Sequence, residues 1–261
     1  MPAKNIINPQ DKQVLSDLLN IANYLDIPII LVGAGARILI FDRQFGDGRG
    51  TTDWDVGISI DSWQSYTRLH ETLTQGNAPR FRATSTLHKI VHIETNIEVD
   101  IIPFGDIAQP DGKIIWSDSE NSMNVLGFTE ARVNSEITRI ENLEIPILTL
   151  PAFVTLKIFA WGDRGERTQK DLEDIEFIFA KYEDDERVYN ELYDELANET
   201  LDFLDANIYL LGRDISRLLQ STTLTELKLV LDRLLESLQN RDSLSLYERV
   251  TILKRGILSV S

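Results

Sequence analysis

The stretch "RGTTDWDVGIS", Arg49 to Ser59, sets two carboxylates, Asp53 and Asp55, two positions apart at the head of an apolar alternation. A period of two places both on one face of a strand, about 7 Å apart. At that separation they can jointly ligate Mg2+, a hard cation that takes oxygen ligands. The spacing alone says little. With 42 acids in 261 residues, about seven acid-x-acid spacings arise by chance, and two exposed acids on an amphipathic strand account for the pair as well. Position adds meaning. Asp100, in "IEVDIIPF", also lies opposite an apolar face, that of Val99 and Ile101. If the two strands are neighbours, three carboxylates meet on one surface and repel unless cations neutralise them. Such a triad suits metal-dependent phosphoryl or nucleotidyl transfer, with Asp100 as base or ligand.

A second feature lies upstream. "IPIILVGAGARILIF" reads as a buried strand, Ile27 to Val32, running into a helix at Gly33, Ala34 and Gly35. Free backbone N–H groups at a helix start, with the positive end of its dipole, form a phosphate seat. Glycine allows close approach to the backbone. A tight strand-to-helix turn explains the same residues without any ligand.

The elements around these residues follow from periodicity. "NPQDKQVLSDLLNIANYLD" carries a helical stripe at Val14, Leu18, Leu19, Ala22 and Leu25. Gly46, Gly48 and Gly50 mark a loop. "DWDVGISI" alternates strictly, with Trp54, Val56, Ile58 and Ile60 opposite the acids. "DSWQSYTRLHETL" is a helix capped by Asp61 or Ser62. "HKIVHIETNIEVDIIPF" is two strands joined by a turn at Thr95-Asn96. From Thr149 and Pro151 onward the chain reads as helical: "LTLPAFVTLKIFAWGDR", "TQKDLEDIEFIFAKY", and then Leu192–Leu211, Leu224–Leu238 and Leu246–Leu258. The stripe Leu227, Leu231, Leu234 and Leu238 predicts core packing. The class is α+β, with a strand-containing unit over 1–148 and a C-terminal helical lobe over 149–261.

Composition narrows the partners. A net charge of −16 argues against broad attraction to nucleic acid, without excluding a local basic groove. The absence of cysteine removes disulfides, zinc-thiolate sites and thiol catalysis. The N-terminus "MPAKNIINPQDKQ" lacks a signal-peptide core, and no apolar run approaches a membrane span. A cytoplasmic protein is expected.

Taken together, "VGAGARILI", "RGTTDWDVGI" and "VDIIPFG" resemble the nucleotidyltransferase superfamily of the DNA polymerase β type, and within it the AbiEii/AbiGii-type toxins of bacterial toxin–antitoxin pairs. The R-x-[ST]-x-D-x-D motif of that group is matched by Arg49, Thr51, Asp53 and Asp55. Its later Lys and [KR]-D-x-x-D elements are matched by Lys157 and by Lys170, Asp171 and Asp174. The resemblance covers about residues 27 to 180. The glycine motif departs from it, reading Gly-Ala-Gly-Ala where the family carries Gly or Ser directly after the first Gly. The resemblance implies a mixed-sheet nucleotidyltransferase core with flanking helices. It implies Mg2+, or Mn2+ in its place, on Asp53, Asp55 and Asp100, and an NTP seated by Gly33, Ala34, Gly35 and Arg37 with Arg49 and Thr51. Lys157 and Arg164 would neutralise the triphosphate, with Asp171 orienting Lys157. The acceptor would be RNA, a tRNA 3′ end, or less often a protein hydroxyl, and an antitoxin protein would be the partner.

Lys157, Trp161 and Arg164 share one helix face, which a merely solvated or snorkelling face also explains. His70 reads as a helix surface residue. His88 and His92 share a strand face but lack a third ligand at metal-site spacing. "RFRATSTLHK", with Arg80, Arg82, His88 and Lys89, could line an RNA path, or be a solvated strand. "YEDDERVYNELYDE" is expected to be a solvated acidic face that repels RNA. Two other functions stay open on the same residues: a non-catalytic nucleotide- or partner-binding regulator, and a metal-dependent nuclease or phosphatase that uses water as acceptor.

Overall fold

The computed structural model describes residues 7–42, 52–165, 167–182, 185–239 and 244–260. The chain divides into two compact units, Met1–Thr149 and Leu150–Ser261. The first is α+β and the second is helical throughout its described residues.

The first unit begins with α1 (Pro9–Tyr24), whose N-cap Asn8 accepts from the Gln10 amide and whose first turn contains Pro9. Strand β1 (Ile29–Val32) is buried along its length. It leads directly into α2 (Gly33–Arg37), which continues as a wider π-turn over Ile38–Asp42. Next come β2 (Asp53–Ser59), α3 (Trp63–Thr74, capped by Ser62), β3 (Phe81–Ala83), β4 (Lys89–His92) and β5 (Glu98–Phe104). A small hairpin of β6 (Lys113–Ile115) and β7 (Ser122–Asn124) follows, then α4 (Phe128–Val133), β8 (Glu136–Ile140) and β9 (Leu143–Ile147).

Among the described residues seven strands form one sheet, in the order β3-β4-β5-β2-β1-β9-β8. It is mixed. The β2–β5 and β1–β9 pairs are parallel, and the other pairs are antiparallel. One face carries Trp54, Val56, Ile58, Ile90, Val99 and Ile101, all buried. Helix α1 reaches this face: the Trp54 indole donates to Asp11 Oδ1 at 3.1 Å. The opposite face is divided. At one end it is apolar, where Ile30, Phe104 and Phe128 close around Gly57. At the other end it carries the acids.

The second unit comprises α5 (Leu150–Arg164), α6 (Lys170–Lys181), α7 (Asp185–Glu191), α8 (Tyr193–Ala197), a 3-10 turn at Phe203–Asp205, α9 (Ala206–Leu218), α10 (Ser221–Gln239) and α11 (Leu244–Leu258). Leu227, Leu231, Leu234 and Leu238 of α10 are all buried, so their stripe is core. The single helix expected over Leu192–Leu211 is broken. α8 stops at Ala197, Glu199 takes a positive φ of 55°, and the Asp202 side chain accepts from the Leu204 amide to start the 3-10 turn. No described helix is long and apolar enough to cross a membrane.

Candidate functional site

The acidic end of the sheet face is assembled by register. On the parallel β2–β5 pair, Asp55 stands opposite Asp100 and Asp53 opposite Glu98. Neighbouring strands lie about 4.8 Å apart, and in-register residues point to the same side. Asp53, Asp55 and Asp100 therefore share one face of two adjacent strands. Each is partly exposed, whereas the residues between them are buried. Burial pushes the Asp100 carboxyl up from the usual carboxylate range. Lys89 pulls it back, and the Asp53 charge adds to the rise.

The glycine turn abuts this cluster. β1 pairs with β2 so that Val32 stands opposite Asp55, and Gly33 follows immediately. Gly33 has a φ of +67°, and a β-carbon there would fall 1.9 Å from Asp55 Oδ2. Gly35 is packed differently: a β-carbon on it would strike the Trp54 ring at 2.6 Å. Ala34 is buried, and Arg37 is fully buried, at 0% exposure. Arg37 is expected from the resemblance to meet a nucleotide; its side chain is buried because α2 is covered over Ala34, Gly35, Ala36 and Arg37. Arg49 and Thr51 lie outside the described residues.

The donor chemistry of Asp53, Asp55 and Asp100, hard carboxylate oxygens on one face, fits Mg2+. The side chains as they stand do not form a closed cage: among the described residues, no three His, Asp or Glu side chains are gathered closely enough to hold an ion. A protein cation is there instead. Lys89 of β4 pairs in register with Asp100, and its ammonium lies 3.2 Å from Asp100 Oδ1 and 2.7 Å from Glu98 Oε2. Burial works against the Lys89 charge, but the hydrogen bonds and charges of Glu98 and Asp100 outweigh it and raise the ammonium above its usual range. In the sequence Lys89 stands only as part of a cationic stretch. The hairpin only partly gives its place: a two-residue turn at Thr95-Asn96 would set Lys89 opposite Ile102, whereas the observed loop between His92 and Ile97 brings Lys89 opposite Asp100 and Val91 opposite Glu98.

The rest of that stretch does not offer a row of unmatched charges. Arg80 approaches Glu94 at 3.3 Å, and Arg82 donates to Asn96 at 2.8 Å. His88 and His92 have separate surroundings. His88 packs against Trp116, with ring centroids 5.0 Å apart. His92 is fully buried, its ring nitrogens 2.9 Å from Thr95 Oγ1 and 3.1 Å from Asp17 Oδ2. It is a core residue. His70 stacks on Tyr66, whose phenol burial pushes well up from its ordinary value.

In the second unit, Lys157 and Asp171 meet. Lys157 Nζ lies 3.3 Å from Asp171 Oδ1 and 2.6 Å from Asp174 Oδ2. Arg164 donates to both Asp171 oxygens at 2.8 Å. Asp171 is fully buried; burial alone would raise its carboxyl, but the Arg164 hydrogen bonds and the Lys157 charge hold it below the usual carboxylate range. The Lys157 ammonium is itself buried between two carboxylates. Expected as a triphosphate clamp, it pins α5 to α6 in this structure. Arg164, with half its side chain exposed, is the cation of this cluster with access to solvent. Trp161, on the same face, is buried. The acidic stretch after Tyr182 is partly neutralised: Glu191 bonds Arg187 and Arg217, each at 2.8 Å.

No family model matches the chain, and no curated protein does. Among solved structures, the Thermotoga maritima CCA-adding enzyme complexed with tRNA(CCA) is similar at 11% identity, over 97% of this chain and 83% of that one, with a TM-score of 0.27. At that score the likeness supports no inference about fold or activity.

Proposed function

We propose that the chain is a divalent-metal-dependent nucleotidyltransferase, moving NMP from an NTP to an acceptor hydroxyl with release of pyrophosphate. The observation that carries this reading is the register that sets Asp55 beside Asp100, with Asp53 two residues away and Gly33 in contact with Asp55. Asp53, Asp55 and Asp100 would hold Mg2+. When bound, the metal supplies activation of the acceptor oxygen and neutralisation of the phosphate charge. The protein's own part is positioning. Two stiff strands fix the carboxylates, and the Gly33 turn lets backbone amides of α2 come close to them without an intervening side chain. The motif resemblance supports RNA, a tRNA 3′ end, as acceptor, and a toxin role with an antitoxin partner.

The test is incubation of the full chain with labelled NTPs, Mg2+ and total RNA. Labelled RNA or protein is expected. Absence of transfer, or equal transfer by Asp53→Ala/Asp55→Ala, would rule the reading out. Inorganic phosphate or shortened RNA would point instead to hydrolysis. A non-catalytic nucleotide- or partner-binding regulator is the second reading, favoured by the commitment of Lys157 to two buried carboxylates. Nucleotide binding that persists without Mg2+ and without turnover would decide for it.

A further inference from the structure

Lys89 is more than one charge among several. It projects from β4 onto the same sheet face as Asp100, and its ammonium touches the third carboxylate of the acidic cluster. The chain before it is fastened from three directions. The Tyr66 hydroxyl donates to the Leu87 carbonyl at 3.0 Å, the Leu87 amide donates to Asp118 Oδ2 at 2.7 Å, and the Thr84 hydroxyl donates to the Lys89 carbonyl at 2.9 Å. A full positive charge is thus built onto the acidic face at a fixed point. Three carboxylates on one face require such compensation. An ammonium and a divalent cation compete for the same carboxylate lone pairs. Glu98, exposed and on the same face, gives the ammonium a second partner to retain.

We propose that Lys89 is the resident counter-ion of the acidic face: it occupies Asp100 in the metal-free protein and withdraws to Glu98 when a divalent cation takes Asp100. This rests on the reading of Asp53, Asp55 and Asp100 as the cation-binding face. Divalent-ion binding that recruits Asp100 would break its contact with Lys89. The device keeps the carboxylates neutralised without metal and sets the ion affinity below what three free carboxylates would give.

The experiment is a Mn2+ titration of the full chain, followed by the EPR signal of the free ion; carboxylate sites that take Mg2+ also take Mn2+. Lys89→Gln is expected to bind Mn2+ about tenfold more tightly than wild type. In an Asp100→Asn background the gain from Lys89→Gln is expected to vanish, the double variant binding no more tightly than Asp100→Asn alone, which separates direct competition at Asp100 from a general change in field. Arg82→Gln, removing a positive charge from the neighbouring strand, is expected to leave the affinity unchanged. Circular dichroism checks that each variant folds, and Lys89→Met, which keeps the aliphatic stem, reads the same competition if the glutamine variant does not. Equal or weaker binding by the Lys89 variants, with wild type binding, overturns the counter-ion role alone. A gain that survives Asp100→Asn overturns it too. No Mn2+ binding by wild type or by any Lys89 variant removes the metal reading and this inference together.

Discussion

Gly33 and Asp55 occupy each other's space: a β-carbon on residue 33 would stand 1.9 Å from Asp55 Oδ2. The contact joins the end of β1 to the middle of the acidic face, and it explains glycine here twice over. The backbone has a φ of +67°, which L side chains rarely adopt, and the carboxylate fills the room a side chain would need. Gly33→Ala is therefore expected to cost about 1–3 kcal/mol of stability and to push the Asp55 carboxylate out of register with Asp100. Denaturant melts check the first effect. Under the proposed function, transfer activity should fall at least about a hundredfold at temperatures where the variant is fully folded.

The carboxylates themselves are expected to behave in the opposite way. Asp53 and Asp55 sit on a face where acids repel, and neither belongs to the apolar core. Asp53→Asn and Asp55→Asn should cost less stability than a core substitution, because neither opens a cavity in the apolar core. Each should reduce nucleotidyl transfer by about a hundredfold or more. Loss of stability equal to that of a core substitution would show these residues to be structural. Parallel thermal melts and labelled-NTP assays read both quantities.

His92 should act through packing alone. Its ring is fully buried between Thr95 and Asp17 and packs edge-on against Phe81, with centroids 5.2 Å apart. His92→Ala leaves a cavity and removes the hydrogen-bond partner of Asp17, at a cost of roughly 2–4 kcal/mol. Mn2+ binding should be unchanged at a temperature where the variant is folded. A changed ion affinity there would return His92 to the site.

The strand alternation of "DWDVGIS" and "IEVDIIPF" showed which faces Asp53, Asp55 and Asp100 take, because a period of two is a local property. The adjacency of β2 and β5 was not local. It is a parallel pairing between segments some forty residues apart, and sequence parity permits it without requiring it. β8 and β9 are hard to read for separate reasons: β8 exposes most of its side chains, and in β9 the alternation of Leu143, Ile145 and Ile147 is only five residues long and contains Pro146, a residue that argues against a strand. The break after Ala197 was hidden by the leucines that continue the helical stripe beyond it; a positive φ at Glu199 and a side-chain cap at Asp202 override that stripe. Lys157, Asp171 and Asp174 were legible only through the motif resemblance. That Asp171 would be wholly buried, and Arg164 bound to it, depended on how α5 and α6 pack.

That buried cluster gives a pH-dependent stability with a definite sign. The Asp171 carboxyl is held below its ordinary value in the folded chain, by Arg164 and Lys157 against the opposing effect of burial. A depressed folded value means that the unfolded state binds the proton more readily. The stabilisation is therefore complete above the ordinary aspartate value of about 3.9 and is lost as pH falls through the lower folded value. Asp171→Asn keeps the shape but removes the charge, leaving buried Lys157 with Asp174 alone, at an expected cost of about 3 kcal/mol at neutral pH. Urea midpoints between pH 7 and pH 3 should fall more steeply for wild type than for Asp171→Asn at the acid end. The two curves should draw together there, because the unfolded chain takes up the Asp171 proton before the folded chain does. Parallel curves over the whole range would mean that Asp171 contributes by shape and hydrogen bonding rather than by its charge.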